Sequence, residues 1–292
     1  MSYALIECEK KKFFPITDVE EVFDEVHIKL PELKEKQSRR YGRKINRILK
    51  KYQVSNVILS EALGKNEIIR NTIYMQNNYI ITGNKLYKAL AKRMIKDICS
   101  ITEVPMETVC VAIFAHEFTI ENWHLVKHVS KEVREIMVIS ENKMRFEKLS
   151  DDLMEKEGIA LTTFDTSYQN HLRCHFVINV DFTEEELKKF ALPKDAIIIS
   201  VEENIRELRK NFNGIMINDV ELYLDSEVPN FRTLALCEAR FFDYRRNFEE
   251  NDYRFEKSGS GINGYVGNNG FITAEDLKRV AKTFTKNSKN TT

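Results

Sequence analysis

The sequence predicts an α/β protein of two lobes, each a mostly parallel sheet covered by helices, with C-terminal helices bridging them. Short β-branched runs alternate with helical stretches along most of the chain, the order expected when each strand is followed by a crossover helix. The 292 residues exceed one ordinary core, since domains run to about 100–200 residues. Glycine is scarce: five of the ten fall between Gly259 and Gly270, and none lies between Gly83 and Gly158.

In chain order, Tyr3-Ala4-Leu5-Ile6-Glu7-Cys8 is an opening strand. A helix over 33–52 follows, with Tyr41, Ile45, Ile48, Leu49 and Tyr52 on one stripe. Next come a strand at 56–60, a helix over 65–77, and a strand at 79–82 that Gly83 ends. A long helix over 84–101 sets Leu86, Leu90, Met94, Ile95 and Ile98 at helical spacing. Pro105, a residue that seldom continues a helix, marks the boundary between lobes over 1–104 and 105–230.

The second lobe opens with strand 109–114, helix 119–131, strand 136–140 and helix 143–157, for which Gly158 is the C-terminal signal. It continues with strand 159–164, a short helix over 167–173, strand 175–180, helix 183–190, strand 196–201 and a last strand at 214–218. The tail, 231–292, holds helices over 231–248 and 274–285. Between them lies the glycine-rich run Lys257–Gly270, expected to be a surface loop, with a mobile flap or hairpin over the cleft between the lobes as the functional alternative.

Composition narrows the function classes. Lys plus Arg equals Asp plus Glu at 45 each, so no global field selects nucleic acid or membrane. Hydrophobic residues at 42% exclude a disordered chain, and no run approaches the roughly 18 apolar residues that span a bilayer. Charge arrives too early after Met1 for a signal peptide, so the expectation is a cytoplasmic protein. The cysteines Cys8, Cys99, Cys110, Cys174 and Cys237 form no CxxC pair and are expected to be reduced, mostly buried thiols.

The order of elements after Pro105, with the runs His175-Phe176-Val177-Ile178-Asn179-Val180 and Leu192-Pro193-Lys194-Asp195-Ala196-Ile197-Ile198-Ile199-Ser200, resembles the Rossmann domain of the shikimate dehydrogenase and methylene-tetrahydrofolate dehydrogenase group. The resemblance implies two Rossmann-like α/β lobes and an oxidoreductase that uses NAD or NADP. The residues that would then touch the dinucleotide are Ala115, His116, Glu117 and Thr119 in the first turn, Glu141 after the second strand, and Asn179.

That turn, Ala115-His116-Glu117-Phe118-Thr119-Ile120, has none of the three glycines that let a backbone approach a diphosphate. Glu117 sets a carboxylate where the middle glycine would admit the anion, and two like charges 4 Å apart cost on the order of 4 kcal/mol at an effective dielectric near 20. The group's catalytic lysine and aspartate motifs find no match around Thr82-Gly83-Asn84-Lys85, and no nucleophile elbow or HExxH pair is present.

The leading expectation is therefore a non-catalytic, Rossmann-derived binding, scaffolding or regulatory protein without a cofactor, acting as a homo-oligomer or with a protein partner. One alternative is an NAD(P)-dependent oxidoreductase with atypical cofactor binding. Another is an anion or nucleic-acid binder that uses the helix at 34–51, with Lys34, Lys36, Arg39, Arg40, Arg43, Lys44, Arg47, Lys50 and Lys51 around its apolar stripe against only Glu35 in the same span. The pairs His124/His128 and His171/His175, with His116, Glu117 or Cys174 as third ligand, have zinc-compatible spacing but are expected to be surface or core-edge histidines.

Overall fold

The computed structural model describes residues 3–9, 17–22, 25–31, 35–168, 170–202, 205–224 and 230–288. In chain order the elements are β1 (Tyr3–Glu9), β2 (Asp18–Val22), β3 (Glu25–Pro31), α1 (Ser38–Lys51), β4 (Asn56–Leu59), α2 (Glu61–Gly64), α3 (Glu67–Tyr74), β5 (Tyr79–Ile80) and α4 (Asn84–Thr102). They continue with β6 (Cys110–Phe114), α5 (Ile120–Ser130), β7 (Glu135–Ile139), α6 (Lys143–Glu157), β8 (Leu161–Phe164), β9 (Phe176–Asn179), α7 (Glu184–Leu187), β10 (Ile197–Ser200) and β11 (Ile215–Ile217). Last come β12 (Asp219–Leu222), α8 (Thr233–Phe241), α9 (Phe248–Lys257), β13 (Ile262–Gly267), β14 (Gly270–Ile272) and α10 (Ala274–Ser288).

Contacts group these elements into two compact units, Met1–Leu86 with Leu224–Phe242, and Tyr87–Tyr223 with Asp243–Thr292. The line falls at Leu86/Tyr87, inside α4, where the sequence suggested Pro105. The tail is divided as well: α8 belongs to the first unit, α9 and α10 to the second.

In the first unit the sheet order is β2-β3-β1-β4-β5, parallel except for the β2–β3 pair. Strand alternation sorts its side chains. Ala4, Ile6, Val57 and Leu59 join Ile45, Leu49, Ile69 and Ile73 of α1 and α3. Tyr3, Leu5 and Ile58 pack on the other face with Ala235 and Leu236 of α8. The antiparallel pair β2–β3 was not expected from the sequence, although β3 has the two-residue period of a strand, with Val26, Ile28 and Leu30 buried.

The second unit holds a six-stranded, all-parallel sheet in the order β11-β10-β9-β6-β7-β8. Counted from β6, this is the strand order 3-2-1-4-5-6 of doubly wound nucleotide-binding folds. The protein is thus mixed α/β with mostly parallel sheets. The central strands are buried on both faces, which is why they are continuous apolar runs, as in Cys110-Val111-Ala112-Ile113-Phe114.

Three helical expectations are corrected. Residues 167–173 form no helix among those described, because Asp165 caps the start of a turn by accepting from the Ser167 backbone and hydroxyl, and Leu172 N–H donates to Ala191 O. Gln169 lies outside the described residues. The helix expected over 231–248 ends at Phe241, since Phe242 is extended, and α9 begins separately behind the N-cap Asn247, whose side chain accepts from Glu250 N–H at 2.9 Å. The helix expected over 65–77 is shorter, α3, with Asn66 as its N-cap.

The glycine-rich run is not the expected surface loop, since it holds β13, which pairs antiparallel with β12 and β14. Glycine serves a close approach there, because a Cβ on Gly267 would sit 2.8 Å from Met216 O. Tyr265, buried in this sheet, donates to Asp97 on α4 at 2.6 Å. No described helix is long and apolar enough to cross a membrane. Cys99, Cys110, Cys174 and Cys237 are buried free thiols and Cys8 is half-buried; burial pushes the Cys99 thiol up to about 12 and the Cys110 thiol up to about 11.

Candidate functional site

A doubly wound sheet offers its ligand site beyond the carboxyl ends of the strands, where successive connections leave in opposite directions. Here that point lies between β6 and β9: from β6 the chain winds to β7 and β8 on one side, and from β9 to β10 and β11 on the other. The loops after four strands bring His116, Glu141, Asp181 and Glu202 to this edge.

His116 is the centre of the cluster. Its ring lies between two carboxylates, with Nδ1 3.2 Å from Glu141 Oε1 and Nε2 3.2 Å from Glu186 Oε2. It stacks flat on Phe182, at 3.9 Å between centroids and 5° between planes. Its backbone N–H donates to Asp181 Oδ1 at 2.9 Å, and its carbonyl accepts from Ser140 Oγ at 2.9 Å.

Neighbouring elements hold these partners in place. Thr183 and Glu186 form a reciprocal capping box on α7, which fixes the Glu186 carboxylate. Asn179 accepts from Phe182 N–H and donates to Phe182 O and Ser200 Oγ, so the turn carrying Asp181 and Phe182 is tied to the sheet. On the other side, Thr119 caps α5 by accepting from Asn122 N–H at 3.0 Å, and Asn122 Nδ2 donates to Glu117 O.

A buried lysine completes the edge. Lys88 on α4 is 6% exposed and sends Nζ to Glu202 Oε1 at 3.1 Å and to Asn122 Oδ1 at 3.4 Å. Lys88 and Glu202 both act electrostatically on Asp181.

Burial lowers the pKa of His116, but the Glu186 hydrogen bond and charge, followed by Asp181 and the Glu141 hydrogen bond, outweigh it and raise the imidazole above its ordinary value. Asp181 is raised, chiefly by burial. Burial raises Glu186 too, yet the Thr183 donors and then His116 take it below the usual carboxylate range. Opposed shifts on neighbouring groups at the carboxyl edge of the sheet mark a candidate functional site. If Glu186 holds the imidazolium, Glu186→Gln moves the His116 titration to lower pH, as followed by NMR of the imidazole carbons. An unmoved midpoint would mean that the pair does not govern the proton.

Of the residues expected from the sequence, Ala115, His116, Glu117 and Thr119 share the turn after β6, and Glu141 reaches it through His116. Ala115 is buried, with N–H donating to Ile139 O, and Glu117 is exposed. Asn179 is fully buried and occupied within the fold. Asp181, Glu186, Phe182, Lys88, Asn122 and Glu202 were not singled out from the sequence. The Thr183-x-x-Glu186 capping box was the one local signal among them.

The turn after β6 lacks the glycines of the dinucleotide fingerprint, and one N–H of the turn and one at the start of α5 are engaged within the fold. A dinucleotide diphosphate needs backbone N–H groups in the turn. The His116 N–H is given to Asp181 and the Asn122 N–H to Thr119, while the carboxylates of Glu141 and Glu186 flank the ring.

The histidine pairs are apart from this site. His175 Nδ1 accepts from Cys110 N–H at 3.0 Å, His128 is buried, and His171 is exposed. Among the described residues no group of three or more His, Cys, Asp or Glu is placed to hold a metal ion. A concavity of about 370 Å³ lies near the amino ends of β10 and β11, with Leu187, Phe190, Leu208 and Phe212 in its wall and Lys194 and Lys210 beside them. It shares no residue with the His116 cluster.

No family model matches the chain, and no curated protein matches it. Among solved structures it is similar to L-tryptophan dehydrogenase from Nostoc punctiforme, at 10% identity over 99% of this chain and 90% of that one, with a TM-score of 0.38. It is similar to quinate dehydrogenase from Corynebacterium glutamicum in complex with NAD, at 10% identity over 88% of this chain and 99% of that one, TM-score 0.35. Shikimate dehydrogenase 1 from Peptoclostridium difficile matches at 10% identity over 71% of this chain and 80% of that one, TM-score 0.28. The resemblance to the shikimate dehydrogenase group found in the sequence thus recurs among the chain's structural neighbours, at low identity and low TM-score.

Proposed function

We propose that this chain is a Rossmann-derived binding protein whose ligand sits at the carboxyl edge of the second unit's sheet and is not a dinucleotide. The observation that carries the reading is the Asp181 carboxylate on the His116 N–H, at the point where a diphosphate would have to bind. With Glu141 and Glu186 on the ring, the edge favours a ligand that brings hydrogen-bond donors or positive charge. Calorimetric titration of the full chain with NAD or NADP at about 1 mM is expected to give no binding heat, because that concentration reaches any complex tighter than about −4 kcal/mol. Saturable binding in the micromolar range would end this reading.

A second reading, an NAD(P)-dependent oxidoreductase with atypical cofactor binding, is favoured by one feature. Glu141 follows β7, where an acid accepts the ribose hydroxyls in this strand order. That reading expects tight NAD binding which Glu141→Ala weakens at least about tenfold, equivalent to about 1.4 kcal/mol.

A further inference from the structure

The exposed face of α1 carries a dense concentration of positive charge. The helix Ser38–Lys51 contains Arg39, Arg40, Arg43, Lys44, Arg47, Lys50 and Lys51 and no acid. At 100° per residue these seven fall within an arc of roughly 140° along about 21 Å of helix. Ser38, Gly42, Ile45 and Leu49 are buried on the opposite side. All seven cations are exposed. Lys51 Nζ lies over the Tyr52 ring, and the side chains of the other six have no hydrogen bond, ion pair or ring contact with any described residue. Lys34, assigned to the same basic stretch from the sequence, lies outside the described residues.

This face opposes the stability of its own helix. Arg39/Arg43, Arg40/Lys44, Arg43/Arg47 and Arg47/Lys51 are like-charge pairs four residues apart, an arrangement that destabilises a helix. Arg39 and Arg40 stand in the first turn, at the positive end of the helix dipole, and that turn itself contains no acid. The chain as a whole has zero formal net charge, so the concentration is local.

We infer that the exposed face of α1 binds the phosphate backbone of a nucleic acid. Four of the seven cations are arginines, whose planar forks match phosphate oxygens in pairs. Tight membrane binding by an interfacial helix adds apolar side chains inserted beside the cations, yet this helix turns its apolar stripe into the core, and none of the exposed large hydrophobic residues lies on α1. An acidic protein partner would call for an aromatic or aliphatic anchor at the centre of the patch, and the arc has none. The face lies in the first unit and the inference does not depend on the ligand of the His116 cluster.

The test is fluorescence anisotropy of the full chain with a single-stranded RNA of about 30 nucleotides and a DNA duplex of about 30 base pairs, at about 50 and 200 mM salt. If four to six phosphates are contacted, affinity for the duplex falls about 100- to 2,000-fold across that fourfold change in salt. The double reversal Arg43→Glu with Arg47→Glu lowers affinity at least about tenfold and reduces the logarithmic salt slope by about 2. That variant turns Arg39/Arg43 and Arg47/Lys51 into opposite-charge pairs while positions 43 and 47 remain a like-charge pair, so it is expected to keep about the wild-type melting temperature; should it melt lower, Arg40→Gln with Arg47→Gln gives the same contrast with good helix formers. Absence of binding at about 10 μM protein and 50 mM salt overturns the inference. So does binding that the substitutions leave unchanged, or a preference for phosphatidylserine vesicles over nucleic acid.

Discussion

Replacing Gly83 with alanine is expected to destabilise the first unit by about 2–5 kcal/mol, the sum of left-handed strain of about 1–2 and overpacking of about 1–3. Gly83 has φ +90°, which L side chains rarely adopt. A Cβ there would meet Leu234 Cβ at 2.6 Å, Leu234 C at 2.8 Å and Ala235 N at 2.9 Å. Two of those atoms are backbone and cannot rotate away.

The contact is close because α8 is held against this turn. Arg232 Nη1 donates to Thr82 O and Asn84 Oδ1, and the buried Glu238 carboxylate accepts the N–H groups of Lys85 and Leu86 at the start of α4. Gly158 supplies the control. It has φ +70° as the C-cap of α6, with nothing within 4 Å of its Cβ, so Gly158→Ala pays only the strain, about 1–2 kcal/mol. Urea unfolding of both variants separates the two contributions. Equal losses would mean that the approach of α8 to Gly83 has no energetic weight.

The second large effect is expected on lowering the pH. His128 on α5 is 3% exposed, and neither ring nitrogen has a hydrogen-bond partner. Asp252 Oδ2 is 3.8 Å from Nε2, beyond hydrogen-bond reach. Burial, then the charge of Lys92, pulls the imidazole pKa down to about 4. The carboxylates of Glu249 and Glu132 oppose this but do not overcome it, and Lys131 adds to it.

Because the folded value lies below the unfolded value of about 6.5, the unfolded chain takes up this proton first as the pH falls. The folded state therefore loses stability between about pH 6.5 and pH 4, by about 3 kcal/mol for a shift of that size, and loses no more from this group below pH 4. Carboxylates titrate in the lower part of the same window, so the contribution is read as the difference between wild type and His128→Leu. The variant should be more stable at acid pH and have a shallower dependence on pH. Parallel curves would show that His128 is not the group responsible.

What was legible in the sequence followed the range of the signal. The strands of the second sheet were found because burial on both faces leaves a continuous apolar run, and Gly158 was found because a left-handed C-cap selects glycine locally. β2 escaped because Asp18-Val19-Glu20-Glu21-Val22 is an acidic strand on the sheet margin, whose strand character comes from pairing with β3. The break between α8 and α9 was hidden because Phe242 and Phe248 keep an apolar rhythm across it, both being buried, while only the cap at Asn247 marks the new start.

The site divides in the same way. The turn Ala115–Thr119 was identifiable because it follows an unmistakable strand, and the cationic arc of α1 because side-chain direction in a helix depends only on spacing along the chain. Asp181 and Glu186 lie 65 and 70 residues beyond His116, and they reach it because β9 pairs with β6. Periodicity, caps and charge patterns are set by neighbours a few residues apart, so they are written locally. Strand order, and with it the carboxylates around the His116 ring, is settled by which hydrophobic faces bury against each other over long separations, and no local pattern encodes that choice.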